Sequence, residues 1–166
     1  MVLYVMRHAD ALRVGGSVQR DVDRPLSPKG EQDAALMAQA MTRLDPSIDL
    51  ILTSPLLRAV QTGDFFRKAL GGRGAVRTSE NLSPGFRPRE LLGDLAAAGM
   101  HPAIVCIGHE PDLSGFIGSL IAETGHAAVV LPAAAVARVR FESGDTTGDA
   151  ALQGLLTPDI VRSLQS

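Results

Sequence analysis

Short uninterrupted apolar runs alternate along the chain with longer stretches in which apolar residues recur every three or four positions. Val2-Leu3-Tyr4-Val5-Met6, Asp49-Leu50-Ile51-Leu52-Thr53 and Ala103-Ile104-Val105-Cys106-Ile107 show no polar alternation, the pattern of strands buried on both faces of a sheet. The stretches between them predict helices. In the first, Ser27 is placed to cap, Pro28 suits the first helical position, and Gly30, Ala34, Met37, Met41 and Leu44 form a stripe that ends at Asp45-Pro46. In the second, Ser54-Pro55 supplies cap and first-turn proline, and Leu56, Ala59, Val60, Gly63, Phe66 and Leu70 face the sheet with Arg58 off that stripe. A third helix is predicted from about Pro88 to Ala98, and a fourth over Asp112 to Ala122 with Leu113, Phe116, Ile117 and Leu120 on one face. Gly71-Gly72-Arg73-Gly74 reads as a flexible connection into a short strand over Ala75 to Thr78. Val136 to Phe141 alternates, as a strand with one wet face near the sheet's edge does. A turn at Ser143-Gly144-Asp145, a strand over Ala150 to Leu155 and a last helix from Pro158 complete an α/β pattern with a mostly parallel sheet.

A length of 166 residues suits one domain. Apolar residues at 45% and charged residues at 20% are ordinary globular usage, and aromatics at 4% leave the core to Ala, Leu and Val. A net charge of -2 excludes a broad basic footprint for nucleic acid or an anionic membrane. Basic chemistry must therefore be local. The opening apolar run is too short for a signal peptide and no stretch reaches the length of a membrane span, so a cytoplasmic protein is the expectation. The single cysteine, Cys106, lies mid-strand and reads as a small buried hydrophobe. No cluster of His, Cys, Asp or Glu has ligand spacing, so neither a metal nor another cofactor is implied.

The charged residues that change this picture stand where strands end. Arg7 and His8 follow the first strand, Arg58 lies in the first turn of the helix after the second, and His109 follows the strand ending at Ile107. In open α/β sheets the carboxyl ends of strands are where ligands bind, and a helix N-terminus there adds free N–H groups and partial positive charge. Two arginines and two histidines converging on one edge suit a phosphate. Leu12 to Arg24, with Gly15, Gly16 and several charges but no sustained period, is predicted as a surface loop beside that edge, with mobility that could gate access. Asp21-Val22-Asp23 within it follows no buried strand and reads as a solvated turn, and His101 and His126 read as exposed loop residues without a role.

Met6-Arg7-His8-Ala9-Asp10, Leu26-Ser27-Pro28-Lys29-Gly30-Glu31-Gln32, Ser54-Pro55-Leu56-Leu57-Arg58-Ala59-Val60-Gln61-Thr62 and Gly108-His109-Glu110-Pro111 together resemble the motifs of the histidine phosphatase superfamily. Within it, they resemble the small SixA-type phosphohistidine phosphatases. The resemblance covers residues 1 to 125 and implies a phosphoglycerate mutase-like fold: a single three-layer α/β/α domain over residues 1–166. It implies His8 as the nucleophile that becomes phosphorylated, with Arg7, Arg58 and His109 around the phosphoryl group. Chemistry agrees, since neighbouring guanidinium groups disfavour the imidazolium form and arginine forks match phosphate oxygens. Ala9 stands where the family has glycine, which negative φ would tolerate. Many members acting on phosphate esters carry a glutamate acid in the turn after the third strand, and here the matching turn is Leu82-Ser83-Pro84. Glu80, Asp10 and Glu110 are the carboxylates near in sequence, and the acid is unassigned.

The resulting expectation is a metal-independent phosphatase with a phosphohistidine enzyme intermediate and a phosphohistidine-containing protein as substrate. Two alternatives stand beside it: a phosphatase of small-molecule phosphate monoesters, and a non-catalytic phosphate-binding domain on the same fold. Oligomeric state is not readable from the sequence.

Overall fold

The computed structural model describes residues 1–122, 128–143, 146 and 149–165. Its elements are β1 (Val2–Arg7), α1 (Pro28–Leu44), β2 (Ile48–Thr53), α2 (Leu57–Ala69), β3 (Ala75–Thr78), α3 (Pro88–Ala98), β4 (Ala103–Gly108), α4 (Asp112–Ile121), β5 (Val136–Phe141), β6 (Ala150–Leu156) and α5 (Pro158–Ser163). The six strands form one sheet in the order β3-β2-β4-β1-β5-β6. β1, β2, β3 and β4 pair in parallel, while β5 runs antiparallel to both β1 and β6.

The uninterrupted apolar strands are explained by cover on both faces. Tyr4, Met6, Ile51, Val105 and Ile107 pack with Met37 and Met41 of α1 and Phe66 of α2. Their alternating neighbours Leu3, Val5, Leu50, Leu52, Ile104 and Cys106 pack with Leu91 and Leu95 of α3 and Phe116 and Ile117 of α4. This gives three layers, helix on sheet on helix. Burying a side chain such as Phe66 or Phe116, both fully inaccessible, stabilises by roughly 1.5–3 kcal/mol. Because β4 sits between β1 and β2, the carboxyl ends of these three strands lie side by side.

Local chemistry fixes how the chain leaves those ends. Ser27 Oγ accepts from the Gly30 N–H at 3.0 Å and Pro28 opens α1, the predicted cap. A Cβ on Gly30 would lie 1.9 Å from the Asp10 carbonyl oxygen, so only glycine lets α1 start against the segment that follows β1. The second predicted cap is corrected. α2 begins at Leu57 with Leu56 in the cap position and no side-chain cap bond. Ser54 Oγ accepts from the Leu56 N–H at 3.3 Å and pairs with His109 instead.

Two further expectations are corrected. Leu44 is 64% exposed: it borders an open pocket with Tyr4, Val136 and Leu155 rather than packing into the core, and Met41 is the last residue of its stripe to be buried. His101 is half-buried rather than exposed, its Nδ1 2.9 Å from Asp49 Oδ1 at the edge opposite the candidate site. His126, Gly144 and Asp145 lie outside the described residues. No helix among the described residues is long and apolar enough to cross a membrane.

Candidate active site

Arg7 ends β1 and His8 follows it. The His8 N–H donates to the Gly108 carbonyl at 3.0 Å, and the His8 carbonyl accepts from Ala134 at 3.2 Å. Ala9 is fully buried, and Ala134 is the only described non-glycine residue with positive φ, so the alanine in the glycine's place is unstrained. The Ala9 N–H donates to Thr62 Oγ1 at 3.2 Å, and that hydroxyl donates to the Arg58 carbonyl at 2.7 Å. Gln61 Oε1 accepts from the Leu26 N–H at 2.8 Å. The first turns of α2 therefore clamp the end of β1 and the start of α1 together, and Arg58 is held in register with His8.

Bond by bond, the geometry fixes which nitrogen of His8 is available. Its Nδ1 lies 2.7 Å from the Ala9 carbonyl oxygen, which can only accept, so Nδ1 carries the proton. Nε2 is left as a bare acceptor, and Arg58 Nε donates to it at 3.1 Å. Arg58 Nη2 lies 3.4 Å from His109 Nδ1 and can only donate, which places the His109 proton on Nε2, 2.8 Å from Ser54 Oγ. The two imidazole rings are 4.9 Å apart between centroids. Arg7 Nη1 donates to the Leu131 carbonyl at 3.1 Å, and its buried Nε has no hydrogen-bond partner.

These groups border a pocket of about 230 Å³ that also touches Asp10, Arg24, Pro84 and Glu110. All four residues singled out in the sequence, Arg7, His8, Arg58 and His109, are thus brought together. Burial pushes His8 down to about 4, and the charges of Arg58, Arg7 and Arg24 act in the same direction against the Ala9 hydrogen bond. Burial likewise pushes His109 down to about 3, helped by His8 and Arg58. Both rings are neutral at physiological pH. Burial raises the Cys106 thiol far above its ordinary range, consistent with an inert core residue.

Of the three candidate carboxylates, Glu80 lies outside the pocket, its Oε2 accepting from Ser83 Oγ at 3.2 Å. Asp10 borders the pocket and accepts from Ser27 Oγ at 2.5 Å. Glu110 also borders it, with Oε2 accepting from Ser114 Oγ at 2.6 Å and Oε1 buried without a partner. Pro84 does occupy the pocket wall, the turn around it held by Gly85 N–H donating to Asp112 Oδ2 at 2.7 Å.

Sequence reasoning missed three contributors. Asp21, read as part of a solvated turn, does sit on a 3₁₀ turn, yet its carboxylate reaches Arg58 Nη2 at 3.1 Å. Arg24 borders the pocket as a further cation and donates from Nη1 to Asp21 Oδ1 at 3.0 Å. The segment from Leu131 to Ala135 receives Arg7 through two carbonyls, those of Leu131 and Ala135. Polar loop residues and backbone carbonyls carry no periodicity to reveal such contacts. Among the described residues no group of three His, Cys, Asp or Glu could hold a metal ion.

A family model for the histidine phosphatase superfamily (branch 1) matches residues 3–83, a stretch with Arg7, His8 and Arg58 but not His109. The chain is 35% identical over 133 residues to an uncharacterized protein of a Picosynechococcus strain, covering 76% of this chain and 77% of that one. It is 28% identical to the phosphohistidine phosphatase SixA of Escherichia coli, over 89% of this chain and 90% of the other. Among solved structures, the protein histidine phosphatase SixA complexed with tungstate superposes with a TM-score of 0.84 at 24% identity, covering 96% and 98% of the two chains. A mycobacterial glucosyl-3-phosphoglycerate phosphatase superposes with a TM-score of 0.68 at 18% identity, covering 92% and 96%.

Proposed function

The chain belongs to the histidine phosphatase superfamily, and from that premise we propose that it hydrolyses phosphohistidine on a protein through a covalent intermediate on His8, without a metal ion. The observation that carries this reading is the bare Nε2 of His8, neutral by burial and faced by the Arg58 guanidinium. A phosphorus atom approaching Nε2 takes the place of the Arg58 N–H. The P–N bond to the substrate imidazole then breaks as the bond from phosphorus to His8 Nε2 forms, and the departing imidazole takes a proton from solvent. Water attacks the phosphoenzyme in the second step and His8 leaves as the neutral ring. Arg58 and Arg7 meet the charge spread over the phosphoryl oxygens, the task a metal ion performs elsewhere, and the neutral His109 joins them as a donor once its proton moves from Nε2 to Nδ1.

The phosphohistidine assignment rests on Pro84 in the wall where an ester-cleaving relative would place its acid. An alkoxide leaving group gains typically 10²–10⁴-fold from a positioned acid. An imidazole, whose ordinary pKa is about 6.5, is protonated readily near neutrality and needs no such residue. The E. coli relative named for phosphohistidine, 28% identical, agrees with this choice. The test compares kcat/KM for a phosphohistidine-bearing protein with that for phosphoserine, sugar phosphates and 3-phosphoglycerate. A clear preference for phosphohistidine is expected. The opposite ranking would favour a small-molecule phosphatase, with Glu110 and Asp10, the carboxylates at the pocket, as the acids to test.

A further inference from the structure

Arg58 is almost fully committed before any ligand arrives. Nε donates to His8 at 3.1 Å, Nη1 to the Asp21 carbonyl at 2.8 Å, and Nη2 to Asp21 Oδ2 at 3.1 Å with His109 Nδ1 at 3.4 Å. A guanidinium has five N–H donors, so a single one is left, on Nη1; when phosphorus displaces the Nε bond to His8, the second tine of a fork beside Nε must come from Nη2, both of whose N–H groups are taken. Something must yield. His109 is buried beside Arg58, but the Asp21 side chain is 54% exposed and keeps a second cation, Arg24, at 3.0 Å. A carboxylate and a phosphoryl group offer Nη2 the same ligand, an anionic oxygen.

We propose that Asp21 is an internal competitor for Arg58: its carboxylate oxygen Oδ2 holds an Nη2 N–H that the phosphoryl group must take, and this lowers the pocket's affinity for oxyanions, including the product phosphate. The inference rests on Arg58 as a ligand of the phosphoryl group and adds a residue that tunes that grip. When phosphate leaves, the carboxylate re-occupies Nη2, so product is exchanged against a tethered anion rather than against a bare cation pair. The hydrogen bond from Arg24, and then the charge of Arg58, keep the Asp21 carboxyl below its usual range, so the competitor stays ionised wherever the enzyme is assayed. Asp21 is a positioning residue in this account, acting through Arg58.

The test measures inorganic phosphate binding by calorimetry and vanadate inhibition for the wild type, Asp21→Asn and Asp21→Glu, with urea midpoints recorded for each. Asp21→Asn keeps the side chain's shape and removes its charge. It should bind both oxyanions about two- to fivefold more tightly, the span expected for a partly exposed ion pair, with KM falling more than kcat. Asp21→Glu should return toward wild type. A residue that merely shaped the loop would give the reverse, weaker oxyanion binding with a lowered urea midpoint, and that result overturns the competitor role. Phosphate binding by the wild type with no tightening in Asp21→Asn also overturns it while leaving the proposed function standing. Absence of oxyanion binding in every form would overturn both.

Discussion

Lowering the pH from about 7.5 to about 5 protonates histidine in the unfolded chain, ordinary pKa about 6.5, but not His8 or His109 in the folded one. Burial holds these rings down to about 4 and about 3. The unfolded state then binds more protons than the native state, so stability must fall as the pH falls through the unfolded value, and the contribution is fully present only above it. For a native value near 4 or 3, the linkage integral over this interval is about 2 kcal/mol for each ring. The assay is urea unfolding at both pH values for the wild type and His109→Gln, which removes one of the two titrating rings. All other carboxylates and histidines are common to both proteins, so the difference between their pH-dependent losses isolates His109. The wild type should lose about 2 kcal/mol more than the variant on acidification. Equal losses in the two proteins would refute the claim that His109 is buried and neutral, and with it the electrostatic description of the pocket.

Arg58→Ala removes the donor facing His8 Nε2 and should lower kcat/KM by roughly 10²–10³-fold, the scale for losing one transition-state donor, with steady-state kinetics on a phosphohistidine protein as the check. Activity should survive exhaustive dialysis against a chelator, since the guanidinium groups of Arg7 and Arg58 supply the positive charge, and loss restored by a divalent ion would contradict this. Gly30→Ala forces a Cβ to within 1.9 Å of the Asp10 carbonyl and should destabilise by about 1–3 kcal/mol in urea unfolding, with kcat reduced because that carbonyl belongs to the segment leaving His8.

How far the sequence was legible follows from which physical signal each feature carries. The strands over Val2–Arg7, Ile48–Thr53 and Ala103–Gly108 are buried on both faces, and uninterrupted apolar runs report that condition directly. Ser27-Pro28 marks α1 because a cap and a first-turn proline act within one turn of chain. Ser54-Pro55 looks identical in sequence, but His109, 55 residues away, takes the Ser54 hydroxyl and the helix opens three residues after Ser54, at Leu57. The same limit applies at the site. Arg7, His8, Arg58 and His109 were visible because each stands at a strand's carboxyl end or in the first turn after it, and strand ends converge by topology. Asp21 and Arg24 join them through a loop folded back onto the pocket by contacts between Arg24 and the Leu12 and Ala11 carbonyls, which no local spacing encodes. His101 pairs with Asp49 only because the sheet aligns the amino ends of β2 and β4.

The most direct test of the central claim is to trap the phosphoenzyme. The wild type is mixed with a phosphohistidine-bearing protein, quenched in alkali within a single turnover and mapped by mass spectrometry. Phosphate on His8, attached at Nε2 and absent from His8→Ala, is the expected result, with turnover lost in a variant whose urea unfolding remains cooperative. Full turnover by His8→Ala, or phosphate trapped on another residue while His8 stays unmodified, would contradict the account.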